Sequence, residues 1–167
     1  MIYFITGQVN QGKSSKLRSI YQEQRTGDGF YNRKLIRNGV FVGQELVRLT
    51  SGESRIFSYR TGFIPEDWEA GAAYRDFSFS EAGLAFGCQI IWATLAERIE
   101  PIYLDELGPL ELAGNGFAHV FRETLCAGIE AYVVVRSSCL QSVIDTFAVT
   151  EYQIIPSSEG VNQRFFS

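Results

Sequence analysis

Histidine, methionine, cysteine and proline are all scarce in this 167-residue chain, with one, one, three and four copies respectively. The cysteine count is odd, and Cys88, Cys126 and Cys139 lie far apart. That excludes a disulfide framework and a zinc site built on paired cysteines. Each cysteine sits among apolar neighbours, so buried free thiols in a reducing compartment are expected. The single His119 has no Cys or His at ligand spacing and is expected on a helix surface. Long hydrophobic runs are also missing: the longest, about Gly83 to Ala96, contains Gln89 and Thr94 and falls short of a bilayer span. Met1 to Thr6 is apolar but lacks a basic leading region and runs directly into Gly7. No targeting segment is read there, no membrane association is expected, and the expected location is the cytoplasm. Repeats and low-complexity stretches are absent.

A basic surplus is lacking as well. Net charge is −4 and the pI about 5.1, which argues against a general nucleic-acid binder. The balance is uneven, however. Arg33, Lys34, Arg37, Arg48, Arg55 and Arg60 face only Glu45 and Glu53 within one segment, a local surplus of four that leaves −8 for the remainder. Exposed hairpin strands carrying solvated charge are the simplest account of it. A nucleic-acid partner stays open through this segment alone, and nothing in the sequence identifies a protein partner. What the chain does have is a hydrophobic content of 46%, enough at this length for one well-packed domain spanning residues 1–167.

Short apolar strands alternate with helical stretches. Ile2 to Thr6 predicts a buried parallel strand closed by Gly7. Lys13 to about Arg25 predicts a helix with Leu17, Ile20 and Tyr21 on one side, stopped by Gly27-Asp28-Gly29. Phe30 to Arg60, with turn dipeptides at Asn38-Gly39 and Ser51-Gly52, predicts antiparallel strands. Thr61 to Gly71 predicts an irregular loop. Ser80 is placed to cap a helix carrying Leu84, Cys88, Ile91 and Leu95. Ile102 to Leu104 predicts a strand ended by Asp105-Glu106, and Asn115 and Gly128 bracket a helix with Phe117, Val120, Phe121 and Leu125 inward. A strand at Ala131–Val135, a helix around Cys139 to Phe147 and a strand at Tyr152 to Ile155 follow. The expected fold is α/β: a mostly parallel central sheet flanked by helices, with an antiparallel hairpin insertion around residues 30–60.

Gly7-Gln8-Val9-Asn10-Gln11-Gly12-Lys13-Ser14 matches G-x-x-x-x-G-K-[ST] in full, between a strand and a helix. Gly7 lets the chain turn off the strand, and Gly12 lets backbone N–H groups approach phosphate oxygens at the helix start. Lys13 is placed for the β- and γ-phosphates, the Ser14 hydroxyl for Mg2+, and Ser15 extends the nucleotide-binding run. Asn10 stands where many such loops carry glycine, and Asn tolerates left-handed backbone. The second element is the strand that delivers Asp105 and Glu106. An acid at the end of such a strand holds magnesium, and the next acid can orient and deprotonate an attacking water.

The run Asp105-Glu-Leu-Gly-Pro-Leu-Glu-Leu112 resembles the signature of the small stand-alone nucleoside-triphosphatase family (THEP-type) of the RecA-like P-loop class. Gly29-Phe30-Tyr31, with Arg37-Asn38-Gly39 and Val42-Gly43, is similar to that family's glycine- and arginine-rich hairpin. Ala131 to Arg136 is similar to its next strand, which also ends in a basic residue. The resemblance implies residues 7–14 as the phosphate loop, Asp105 for the metal and Glu106 as catalytic acid/base. Two departures stand out: Gln8-Val9-Asn10 replaces a Pro/Gly-richer loop, and Asn32-Arg33 replaces a more acidic or threonine-bearing stretch.

The expected activity is magnesium-dependent hydrolysis of a nucleoside triphosphate, ATP and/or GTP, because a water is the natural client of Glu106. Two alternatives remain at this level. A P-loop kinase would pass the γ-phosphoryl group to a small acceptor, with Arg33, Lys34 and Arg37 as lid cations. A non-catalytic nucleotide-dependent binding module would use the loop as a switch, although no Asn-Lys-x-Asp guanine reader is present. Arg136, at the end of its strand, is a candidate for contact with the γ-phosphate.

Overall fold

The three-dimensional structure, a computed structural model, describes residues 1–158. Strand β1 (Ile2–Gly7) leads through the phosphate loop into helix α1 (Lys13–Gln24). Three strands follow, β2 (Asp28–Arg37), β3 (Val40–Arg48) and β4 (Ser54–Arg60), then a shorter pair, β5 (Ala70–Tyr74) and β6 (Phe77–Ser80). The rest is α2 (Glu81–Ala96), β7 (Ile102–Leu107), α3 (Pro109–Leu112), α4 (Ala118–Ala127), β8 (Ala131–Arg136), α5 (Leu140–Phe147) and β9 (Tyr152–Pro156).

These strands form one sheet in the order β5-β6-β4-β3-β2-β7-β8-β1-β9. From β2 to β9 every neighbouring pair is parallel. From β2 to β5 every pair is antiparallel. The expected hairpin segment is therefore a lateral extension of the same sheet, with β2 belonging to both halves. Strand β8 separates β1 from β7, so the loop after β1 and the acids on β7 rise from strands two positions apart. Carboxyl ends of parallel strands are where open α/β sheets bind ligands.

Alternation sorts the side chains. Phe4, Phe30, Leu46, Ile102, Leu104 and Val133 pack beneath α2, α4 and α5 in the larger core. Ile5, Tyr31, Val47, Tyr103, Tyr132 and Val134 face α1, which inserts Leu17. Tyr3, Tyr132 and Tyr103 stack in a row across this second face, with ring centroids 4.6 and 5.5 Å apart. Gln24 of α1 bridges the hydroxyls of Tyr132 and Tyr103.

Several local expectations need correction. Strand β7 does not end before the acids but carries Asp105 and Glu106 within it, to Leu107. Asn115 does not cap α4 with its side chain; Phe117 is the N-cap residue, and Asn115 offers only its backbone carbonyl to Ala118. The stretch after Arg60 is irregular only up to β5, and β5, β6 and α3 were not anticipated. Short, glycine- and serine-containing strands such as β5 and β6 carry little periodic signal and are held by pairing, β6 to β4 and β5 to β6. Of the three thiols only Cys88 is buried; Cys126 is exposed and Cys139 lies between. Ser80 does cap α2, its Oγ accepting from Gly83 N at 3.1 Å. Gly128 ends α4 at φ 66°, and His119 lies exposed on α4 against the Trp92 ring. No helix among the described residues is long and apolar enough to cross a membrane.

Gly29 explains how β2 and β7 come together. A Cβ on Gly29 would land on the Tyr103 carbonyl, so only glycine lets β2 approach β7 at the register Gly29↔Tyr103. Gly29→Ala is therefore expected to lower unfolding stability by about 3 kcal/mol, through backbone displacement at an overpacked contact. Urea denaturation measures it, and an unchanged midpoint would show that the β2–β7 junction yields freely.

Candidate active site

Gly7 ends β1 directly beside Arg136 in the β1–β8 register. The chain then loops back, with Asn10 at φ 61° and Gly12 at φ 74°, and enters α1 with Gly12 as the N-cap residue. Asn10 thus takes the left-handed conformation that its residue type tolerates. Helix α1 has no side-chain cap and no acidic residue in its first turn, so its positive N-terminal end meets no competing carboxylate within the helix. The loop's polar groups satisfy one another. Lys13 Nζ donates to the Gln8 carbonyl at 2.6 Å, and Gln8 N donates to Gln11 Oε1 at 2.7 Å. Partial burial pulls the Lys13 ammonium below its usual pKa, the opposing pull of Glu106 notwithstanding.

The acids arise from an irregularity in β7. Leu104 pairs with Val133 and Leu107 with Val135, so three steps on β7 match two on β8. The extra residue is a β-bulge at Asp105–Glu106, and Glu106 sits at φ 78°, a costly conformation for a non-glycine residue. In a regular strand these consecutive side chains would face opposite sides of the sheet. With the bulge, both line one crevice.

Asp105 is 1% exposed. Its Oδ2 accepts from Asn32 N at 2.8 Å, its backbone carbonyl accepts from Asn32 Nδ2 at 3.3 Å, and its carboxylate also hydrogen-bonds Ser14. Burial pushes its pKa up to about 7, against the lowering effect of those bonds. Glu106 meets Arg136, whose Nε and one terminal nitrogen both lie 2.9 Å from Glu106 Oε1.

The crevice has a volume of about 720 Å³. Of the residues singled out from the sequence, Val9, Asn10, Gln11, Gly12, Lys13, Ser14, Ser15, Asp105, Glu106 and Arg136 line it. Gly7, the last residue of β1, and Gln8 do not line it. Among the hairpin cations, Arg33 and Lys34 reach the crevice wall, whereas Arg37 lies over Tyr59 outside it. Asn32, Gln44 and Phe77 also line it and were not foreseen. Their placement depends on the length and register of β2, β3 and β6, which no spacing rule supplies.

A divalent cation accompanies the nucleotide in P-loop enzymes, and the donors here suit one. Ser14 Oγ and a buried carboxylate lie in hydrogen-bonding contact, and Asn32 Oδ1 beside them is buried with no partner. Among the described residues no cluster of three or more His, Cys, Asp or Glu side chains is arranged to hold a metal alone. The remaining ligands would be phosphate oxygens and water, the usual arrangement for Mg2+.

A second buried acid lies beyond the bulge. Glu111 is 5% exposed and accepts from Gly108 N at 2.9 Å and Phe117 N at 3.1 Å, tying the segment after Glu106 into a closed loop. A side chain on Gly116 would land on this carboxylate. Burial lifts the Glu111 pKa to about 7 despite the two N–H donors.

Helices on both faces, the β9-β1-β8-β7-β2 parallel order, the phosphate loop and the acid pair together define a P-loop nucleotide-binding protein of RecA-like type. The NTPase family model matches residues 2–156. Nucleoside-triphosphatase THEP1 of Methanopyrus kandleri is 24% identical over 144 residues, covering 84% of this chain and 76% of the relative. The crystal structure of THEP1 from the hyperthermophile Aquifex aeolicus superposes with a TM-score of 0.71 at 16% identity, over 93% of this chain and 89% of the other. The solution structure of a human cancer-related nucleoside triphosphatase gives 0.62 at 13% identity, over 93% and 87%. The chain belongs to this NTPase family, and a nucleotide is its substrate.

The two raised carboxyls set a pH dependence of stability. A group whose folded pKa lies above its unfolded value stabilises the fold while protonated and loses that contribution as pH rises through the folded pKa. For Glu111 the window runs from 4.5 to about 7. In metal- and nucleotide-free buffer the melting temperature is expected to fall between about pH 5 and pH 8. Glu111→Gln should remove part of that slope, and an unaltered slope would mean that Glu111 is not a contributor.

Proposed function

We propose that this protein hydrolyses nucleoside triphosphates, ATP and/or GTP, to the diphosphate and inorganic phosphate with Mg2+ as cofactor. The observation that carries this reading is the bulge that aims Asp105 and Glu106 at one crevice with the phosphate loop. The amides of residues 8–15 and the α1 N-terminus cradle the β- and γ-phosphates, with Lys13 moving from the Gln8 carbonyl to a phosphate oxygen. Ser14 and Asp105 would hold the Mg2+, which would offset negative charge on the phosphates. Glu106 is the general base. Its carboxylate takes a proton from water as the water oxygen bonds to the γ-phosphorus, and the bond to the β–γ bridging oxygen breaks to release the diphosphate. Arg136 orients Glu106 in the free enzyme and lies close enough to the loop, through Gly7, to turn toward the γ-phosphate. The three free thiols suit the reducing cytoplasm in which we place the protein.

Phosphate release without any added acceptor tests this against a kinase or a binding module. Wild type should release phosphate from ATP or GTP only when Mg2+ is present, and Lys13→Ala should abolish release while the melting temperature holds. Glu106→Gln should retain nucleotide binding and lose about 100- to 10,000-fold in turnover. Wild-type turnover in Glu106→Gln would remove it as the base.

The part assigned to Arg136 has its own measurement. Turnover of Arg136→Ala is expected to fall on the order of 1,000-fold, well beyond any loss of nucleotide affinity. Unchanged turnover would reduce Arg136 to a surface partner of Glu106.

A further inference from the structure

The crevice wall holds five cationic side chains, from Lys13, Arg18, Arg33, Lys34 and Arg136, against the carboxylates of Asp105 and Glu106. Three of the five have settled partners. Arg136 is on Glu106, Arg33 on Glu45 at 2.6 Å, and Arg18 lies over the Tyr31 ring at 4.5 Å. The two lysines differ. Lys13 donates to a backbone carbonyl, and Lys34 Nζ donates to Asn10 Oδ1 at 2.8 Å and lies 5.5 Å from the centre of the Phe41 ring. All of these partners are uncharged. Both ammonium groups are thus held by neutral oxygens of the same loop, Gln8 O and Asn10 Oδ1, each a weaker partner than a phosphate oxygen.

The position of Lys34 follows from the sheet. Strand β2 pairs with β7 only from Asp28 to Phe30, and Asn32 then bonds Asp105 instead of the β7 ladder. The outer half of β2 continues with β3 alone and brings Lys34 across to the phosphate loop. Alternation puts Lys34 on the same side of β2 as Asn32, whose amide and side chain already hold the metal-site acid.

We propose that Lys34 is a second triphosphate-binding lysine, which exchanges Asn10 for the γ-phosphate and so lets the β2–β3 hairpin distinguish a triphosphate from a diphosphate. This rests on the reading of residues 7–14 as the nucleotide loop. It gives a specific task to one charge of the basic hairpin, whose other members are engaged elsewhere: Arg48 with Asp28, Arg55 with Glu53, Arg60 with the Phe41 carbonyl and Arg37 with Tyr59.

The test compares affinities for the non-hydrolysable β,γ-imido analogue of ATP and for ADP, both with Mg2+, by calorimetry. Lys34 is exposed, so Lys34→Met should fold with an unchanged melting temperature. It should lose about 10-fold in affinity for the triphosphate analogue, the value of one charge-assisted hydrogen bond, with ADP affinity within about twofold of wild type. Lys34→Arg should recover most of the loss. Asn10→Gly, which removes the Oδ1 acceptor and keeps the left-handed backbone free of strain, separates the proposal from a purely structural strap. If the Lys34–Asn10 bond serves only to shape the loop, Asn10→Gly and Lys34→Met will weaken both nucleotides alike. If Lys34 binds the γ-phosphate, Asn10→Gly will leave the preference for triphosphate intact. Equal losses for ADP and the analogue in Lys34→Met, or none, overturn the assignment. Wild type that binds neither nucleotide overturns the loop reading instead.

Discussion

Asp105 is a carboxylate with almost no access to water, yet it lines the crevice. Burying an unpaired carboxylate is expensive, so the structure has to offset it. It does so by ending a ladder early. The pairing between β2 and β7 stops at Phe30↔Leu104, and the next free amide, Asn32 N, is given to Asp105 Oδ2. The rest of the offset comes from Ser14 and from the positive charge of Lys13 nearby. One group therefore joins three elements: the strand that carries it, the helix that begins at the phosphate loop, and the antiparallel half of the sheet. The hairpin becomes part of the site for this reason, since its first strand is fixed in place by the acid that would hold the metal.

The same economy governs the loop. Its lysine and its first amide have partners within the loop, at 2.6 and 2.7 Å, and its apex accepts from Lys34 of β2 at 2.8 Å. Gln11 Oε1 on Gln8 N is an oxygen acceptor of the kind a phosphate presents. A nucleotide bound there would exchange neutral acceptors for charged ones, so the net gain per contact would be the difference between the two and not the full strength of either. If the hairpin senses the number of phosphates, the cations placed to do so are those whose free-state partners are neutral, Lys13 and Lys34. Arg136 is unlike the two lysines in this respect, because leaving Glu106 would cost an ion pair.

The parts of this arrangement that were legible in the sequence are those with a local cause. Gly7 to Ser14, between a short apolar strand and a helix, needed only the spacing of glycine, lysine and serine. Asp105 and Glu106 stood out because an apolar strand delivered them, and the alternating strands and helices implied a parallel sheet. The missed features depend on long-range pairing. Strand β6 exists because β4 offers an edge, β5 because β6 offers the next one, and Asn32 matters because of where the β2 ladder stops. Lys34 and Arg37 look equivalent in sequence, yet register carries one to the phosphate loop and the other to Tyr59. The pairing of Arg136 with Glu106 joins residues 30 positions apart and has no local signature.

The bulge is the step that turns an acid dipeptide into a pair lining one crevice. Strand geometry sends neighbouring side chains to opposite faces, and the faces of this sheet have different fillings: aromatic and aliphatic packing under α2 and α4 on one, the tyrosine row under α1 on the other. A regular β7 would bury Glu106 in the larger core with no partner for its charge. Inserting one residue into the strand avoids that cost and returns Leu107 to the larger core. The cost moves into the backbone, as the φ of 78° at Glu106. Such a conformation persists only where its surroundings over-determine it. On one side Arg136 holds the Glu106 carboxylate; on the other, Glu111 holds the amides of Gly108 and Phe117, so the chain leaving the bulge cannot relax outward. The run from Asp105 to Glu111 is thus one mechanical unit, in which the first two acids line the crevice and the third keeps the backbone beyond them bent.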